Sequence, residues 1–164
     1  PAVRTPNELY AHALAIEREA AERYAELAQR MEDLGNDDVA ALFRQLAVFE
    51  AEHLDTLERR TQGVDVPEIP PGKYAWLDAE APETVAHDFV FRLLTPRHAL
   101  GIALEAERRA EQFFQEVKAT ATDPALRALA QEMAMEEAGH IAMVEQALAK
   151  TPDAQVDWTT IFGD

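Results

Sequence analysis

Glu50-Ala51-Glu52-His53 is answered further along the chain by Glu137-Ala138-Gly139-His140, the same Glu-x-x-His spacing in a second segment. On an α-helix residues i and i+3 share a face, so each stretch aims a carboxylate and an imidazole at one point. In a chain this rich in glutamate a single such pair carries little information. Two of them, each set in an amphipathic pattern, point to a metal site built between helices.

The surroundings repeat as well. Glu17 to Leu27 aligns without gaps with Glu107 to Val117, pairing Glu17 with Glu107 and Tyr24 with Phe114. Likewise Leu42, Leu46, Glu50, His53 and Leu57 match Leu129, Met133, Glu137, His140 and Val144. The offset is 90 residues in the first block and 87 in the second, which predicts a shorter inter-helix loop in the second half. Two copies of a helix pair joined by a long crossover make an all-α four-helix bundle with one long connection.

Local signals divide the 164 residues as a single domain. Thr5-Pro6-Asn7-Glu8 reads as an N-cap, a proline at the first helical position and a capping-box glutamate, and Gly35 as a stop. Leu14, Ala21, Leu27 and Met31 mark the expected apolar face of the first helix. Asn36 or Asp37 caps a second helix that ends before Gly63, completing a first helix pair over 5–62. Prolines and glycines break 63–81, and 82–94 reads as a short helix, so 63–94 is an ordered crossover. Thr95-Pro96 opens a third long helix to about Lys118, and Asp123-Pro124 a fourth to about Lys150, giving a second pair over 95–150. The C-terminal tail, 151–164, carries Trp158, Ile161 and Phe162 as docking residues.

Composition narrows the chemistry. There is no cysteine, which removes disulfides, thiolate metal sites and thiol catalysis together. A metal must then be held by Glu, Asp and His, a donor set suited to iron, manganese or zinc. The formal net charge of −16 disfavours nucleic acid and anionic membrane surfaces as partners. No apolar run reaches the roughly 18 residues of a membrane span, and no signal sequence opens the chain, so a cytoplasmic location is expected.

The repeat singles out which glutamates matter. Glu17 and Glu107 each stand seven residues before an aromatic, Tyr24 or Phe114, and each interrupts an apolar stripe. A buried, unpaired carboxylate costs several kcal/mol and ionises only beside compensating charge. Glu17, Glu50, Glu107 and Glu137 bring four negative charges, His53 and His140 are neutral ligands, and two divalent cations would bring the sum to zero. Taken singly, each residue reads as a surface glutamate or an ordinary histidine. Together, on matched positions of a repeat, they read as six metal ligands.

This constellation resembles the ferritin-like di-iron carboxylate superfamily, particularly its rubrerythrin and bacterioferritin branch, across residues 5–60 and 95–150. The resemblance implies a ferritin-like bundle holding two iron ions, with Mn or Zn as substitutes. It makes Glu17 and Glu107 terminal ligands, Glu50 and Glu137 bridges, and His53 and His140 the ligands completing one ion each. Departures from the family pattern are also visible. Ala110 stands where rubrerythrins carry a second helix-3 glutamate, with Glu111 one position off, and the cysteines of a rubredoxin module are missing. Electrons are therefore expected from an external donor protein. The 14 residues after Lys150 are too few for the extra helix of cage-forming ferritins.

Tyr24 reads either as a core aromatic or as a functional residue, the latter a hydrogen-bond donor to a bridging glutamate or a one-electron donor to an oxidised site. His12, His87 and His98 lack the Glu-x-x-His context and read as structural or surface residues, and Glu105 and Glu136 as solvated. The function expected is oxidation of Fe(II) or reduction of peroxide or O₂. The alternatives are iron or manganese binding and delivery without turnover, a di-iron hydroxylase marked by an apolar channel, and a metal-free interaction module. A homodimer is expected from the apolar surface of 63–94 and of the tail.

Overall fold

The computed structural model describes residues 3–69 and 95–152. Among these, four helices follow one another: α1 (Pro6–Asp33), α2 (Asp37–Arg60), α3 (Pro96–Thr120) and α4 (Pro124–Lys150). The crossover helix expected at 82–94 and the docking residues Trp158, Ile161 and Phe162 lie outside the described residues, as does most of the apolar surface from which a dimer was expected.

Each helix starts where its capping chemistry dictates. Thr5, Asn36, Thr95 and Asp123 accept, through their side-chain oxygens, from Glu8 N, Val39 N, His98 N and Ala125 N. Asn36, not Asp37, is thus the cap of α2. α1 ends in a Schellman turn: Gly35, at φ +79°, donates to Glu32 O, while Asn36 N donates to Met31 O. Only glycine adopts that φ without strain.

The two hairpins are built alike. α1 packs against α2, and α3 against α4, with α1 also meeting both helices of the second pair. The expected shorter loop in the second half is not what the structure shows. Leu34–Asn36 and Ala121–Asp123 are loops of equal length. The three-residue difference between the offsets lies in the helices instead, because α3 stops at Thr120, three residues sooner after Glu107 than α1 stops after Glu17. The buried face of α1 is also turned slightly from the expected one. Ile16 and Ala20 are buried, whereas Leu14 and Ala21 are only half-buried.

The core consists of two apolar clusters rather than one. One gathers Leu9, Ala13, Ile16, Leu57, Phe113, Phe114, Leu126 and Met133. The other gathers Ala20, Tyr24, Leu27, Phe43, Leu46, Leu100, Leu104 and Val144. Every helix passes from one cluster to the other at a glutamate: Glu17 between Ile16 and Ala20, Glu50 between Leu46 and Leu57, Glu107 between Leu104 and Ala110, Glu137 between Met133 and Val144. A layer of four carboxylates divides the bundle at mid-height. Across the hairpins, Arg60 of α2 grips Glu132 of α4 with two parallel bonds of 3.0 and 2.8 Å. Arg97 at the start of α3 donates to the carbonyls of Leu148 and Thr151, tying down the end of α4.

Candidate metal centre

Glu17, Glu50, Glu107 and Glu137 are the only polar or charged side chains fully buried among the described residues, at 1, 0, 4 and 2% exposure. His53 and His140 lie beside them with side chains 10 and 12% exposed. The structure therefore draws all six residues singled out from the repeat into one layer. It groups them unequally. Glu50, Glu107, Glu137 and His140 place donor atoms within 4.8 Å of one another, and Glu17 and His53 do the same with a third residue, Glu136.

Glu136, expected on a solvated face, is partly exposed but also reaches the centre. Its Oε2 lies 2.6 Å from His53 Nδ1, which also approaches Glu17 Oε1 at 3.1 Å, and its side chain remains 37% exposed. Agreement between the two halves of the repeat hides this residue, because its counterpart in the first half is Phe49. Comparing the halves for their differences would have found it. Phe49 stacks on the other histidine, His140, with ring centroids 6.4 Å apart and planes 10° from parallel. Glu105, by contrast, is exposed as expected and pairs with Arg109.

The donor atoms have the character of metal ligands. Both carboxylate oxygens of Glu17 and of Glu50, and Nδ1 of His53 and His140, are buried without a hydrogen-bond partner. His140 Nδ1 lies 2.8 Å from Glu50 Oε1, a close approach without the geometry of a hydrogen bond. Buried polar atoms are almost always satisfied, and orphans at this density demand an explanation. A divalent cation accepting lone pairs from each would supply it, and a Glu/His donor set suits iron, manganese or zinc.

Electrostatics point the same way. Burial pushes the Glu17 carboxyl up, against the opposing pull of His53. Glu137 is raised well above the usual carboxylate range, first by burial and then by its neighbour Glu107. For Glu107 burial is outweighed by contacts from Glu137, His140 and Tyr24, so this carboxyl is held below its ordinary value. Burial would lower both histidines, but the carboxylates around them prevail, raising His140 and lifting His53 to about 9. Without a metal the layer thus relieves its negative charge by retaining protons, which a bound cation would displace.

Tyr24 donates its phenolic hydrogen to Glu107 Oε1 from within the core. Its partner is therefore not Glu50 or Glu137, the glutamates expected to bridge. Burial and the Glu107 charge raise the phenol far above its ordinary pKa, so it stays a donor. Phe114, its counterpart in the repeat, gives Glu17 no equivalent bond. A small cavity of about 40 Å³ runs between α1 and α3, lined by Ala20, Ala106 and Ala110, the exposed Arg109, and the buried Glu107 and Glu137. Larger hollows of about 650 and 520 Å³ lie near the α1–α2 turn and the end of α4 and touch none of the six ligands.

A four-helix bundle with a central layer of carboxylates and two Glu-x-x-His pairs is a metal-binding, ferritin-like protein. The Rubrerythrin family model matches residues 8–90, and the chain belongs to that family. An uncharacterised conserved protein from Magnetospirillum magnetotacticum has a crystal structure that superposes with a TM-score of 0.80 at 36% identity, covering 93% of this chain and 99% of that one. No curated protein matches the sequence. Among the described residues no helix is long and apolar enough to cross a membrane.

Proposed function

We propose that the protein holds two iron ions in the carboxylate layer and uses them to oxidise Fe(II) with peroxide or O₂. The observation that carries this reading is the convergence of four buried carboxylates on His53 and His140, with the oxygens of Glu17 and Glu50 lacking hydrogen bonds. Glu17, Glu50, His53, Glu107, Glu137 and His140 would hold the ions, with manganese or zinc as substitutes. When bound, two irons supply the electrons needed to split an O–O bond. The protein's own part is to exclude bulk water with its two apolar clusters, to fix the Glu107 carboxylate through the Tyr24 hydroxyl, and to admit the oxidant.

The size of the cavity supports a small oxidant. About 40 Å³ accommodates a few water-sized molecules, since one needs roughly 10–15 Å³ on this measure. Pockets for organic ligands are on the order of 300 Å³ or more, so this cavity fits a diatomic oxidant or peroxide and not an organic substrate. The 164 residues carry no cysteine for an iron–sulfur electron relay, so reducing equivalents would come from outside them, in this proposal from a donor protein. A homodimer remains part of the proposal, and light scattering tests it.

Metal analysis of protein purified without added metal, followed by stopped-flow mixing of the Fe(II)-loaded form with peroxide, tests the function. Two irons per chain and rapid oxidation are expected, both lost in Glu50→Ala and His140→Ala. Stoichiometric metal without rapid oxidation would identify a metal carrier instead.

A further inference from the structure

The two halves of the centre differ at two pairs of equivalent positions. Tyr24 donates to Glu107, whereas its counterpart Phe114 leaves Glu17 without such a donor. Phe49 lays its ring over His140, whereas its counterpart Glu136 sets a carboxylate oxygen 2.6 Å from His53 Nδ1. A pseudo-symmetric fold has thus been given chemically distinct ends.

Glu136 has the attributes of a ligand. Its oxygen reaches a site where Glu17, 1% exposed, has both carboxylate oxygens without a hydrogen-bond partner. Nε2 of His53 is buried without a hydrogen-bond partner, while Nδ1 is approached by both Glu136 and Glu17. The donors come from three helices, α1, α2 and α4, so they converge on a point rather than lining one helix face. Oxygen, oxygen and imidazole nitrogen make a set for a hard or borderline divalent cation such as Fe²⁺ or Mn²⁺.

Resting on the binuclear reading above, we propose that Glu136 is a seventh ligand, belonging to the Glu17–His53 position alone, and that the two ion positions are therefore inequivalent. Seven ligands bring five carboxylates, one negative charge more than two divalent cations neutralise. That surplus sits on the most exposed of the seven side chains, where water screens it at least cost. The other position, that of Glu50, Glu107, Glu137 and His140, has Phe49 at the equivalent place and gains no such carboxylate.

The test is Mn²⁺ binding to the whole chain and to Glu136→Gln, followed by equilibrium dialysis with metal analysis. Circular dichroism checks the fold, which a glutamine at this partly exposed helical site preserves. Wild type should bind two ions per chain. In E136Q one step should keep its affinity and the other weaken by about tenfold or more, the effect expected of an altered metal environment. Glu136→Phe, which restores the symmetry of the halves, should do the same. Isotherms of E136Q and E136F superimposable on wild type would overturn the proposal, as would equal weakening of both steps. If wild type itself binds no Mn²⁺, the binuclear reading fails along with it, a result distinguishable from failure at Glu136 alone.

Discussion

Tyr24 on α1 donates its hydroxyl hydrogen to Glu107 on α3, across the gap between the two hairpins and 83 residues along the chain. The bond spans the interface that the metal centre occupies. It gives one buried carboxylate a hydroxyl donor, while Glu17 and Glu50 have only the imidazoles of His53 and His140 close by.

Replacing Tyr24 with Phe leaves the Glu107 carboxylate without that donor in a site 4% exposed. A hydrogen bond to a charged group contributes about 1.5–3 kcal/mol, so metal-free Y24F should lose about that much unfolding free energy and unfold at lower urea. Urea titrations in the presence of chelator measure it. A denaturation midpoint equal to wild type would show that the bond contributes nothing to folding.

Replacing Glu50 and His140 together by leucine should invert the usual order of stability. The two lie 2.8 Å apart in the buried layer, and removing Glu50 alone would leave the imidazole without that partner. Replacing both with apolar side chains should stabilise the metal-free bundle by about 1–4 kcal/mol. For a chain of this size that is roughly 2–4 °C in Tm for each kcal/mol. Thermal scans with chelator should place the E50L/H140L double variant above wild type, and scans with saturating Mn²⁺ should place it below. A variant less stable than wild type in both conditions would contradict the reading.

Filling the cleft between α1 and α3 should slow the oxidant without displacing the metal. Ala110→Leu projects into the cavity of about 40 Å³ that reaches Glu107 and Glu137. Fe(II) oxidation by peroxide should slow by at least about tenfold, a barrier increase of about 1.4 kcal/mol, with bound iron per chain unchanged. Overpacking should also cost about 1–3 kcal/mol of stability. An unaltered oxidation rate in stopped flow would place the entry route elsewhere.

His12 supplies a pH dependence separate from the metal. Its ring packs against Phe113 at 5.2 Å, and burial, partly offset by Glu8, lowers its pKa below the ordinary 6.5. The folded state then binds the proton less readily than the unfolded state. The stability at stake is fully present above pH 6.5 and is lost as pH falls through that value toward the folded pKa. Calorimetry at pH 7.5 and 5.5 should show a smaller fall in Tm for His12→Phe, which keeps the aromatic contact, than for wild type. Equal slopes would refute it.

The bundle and the six convergent ligands could be read from the chain because duplication wrote the same spacing twice. Glu17 with Glu107 and Glu50 with Glu137 identified each other as no single glutamate could. The same device concealed what differs between the halves. Glu136 sits opposite a phenylalanine, so a search for matches passed over it. The partner of Tyr24 depends on how α1 and α3 are juxtaposed across the interface, which helical periodicity does not encode. The α1 face was misjudged by about one residue because alanines at 20 and 21 fit either side of the stripe. Equally, a three-residue offset does not reveal whether a loop or a helix has been shortened.

Each cluster of ligands takes side chains from both hairpins: Glu50 meets Glu107, Glu137 and His140, while Glu17 and His53 meet Glu136. Each hairpin on its own holds an incomplete set. A cation seated in either cluster therefore acts as a rivet between two halves that are otherwise joined in sequence only through the long connection. Separating the hairpins must first strip the ion of ligands, so metal occupancy becomes a direct gauge of whether the two halves are docked. Ion release and hairpin separation should accordingly be one cooperative event, with the rate of chelator capture tracking the opening of the bundle.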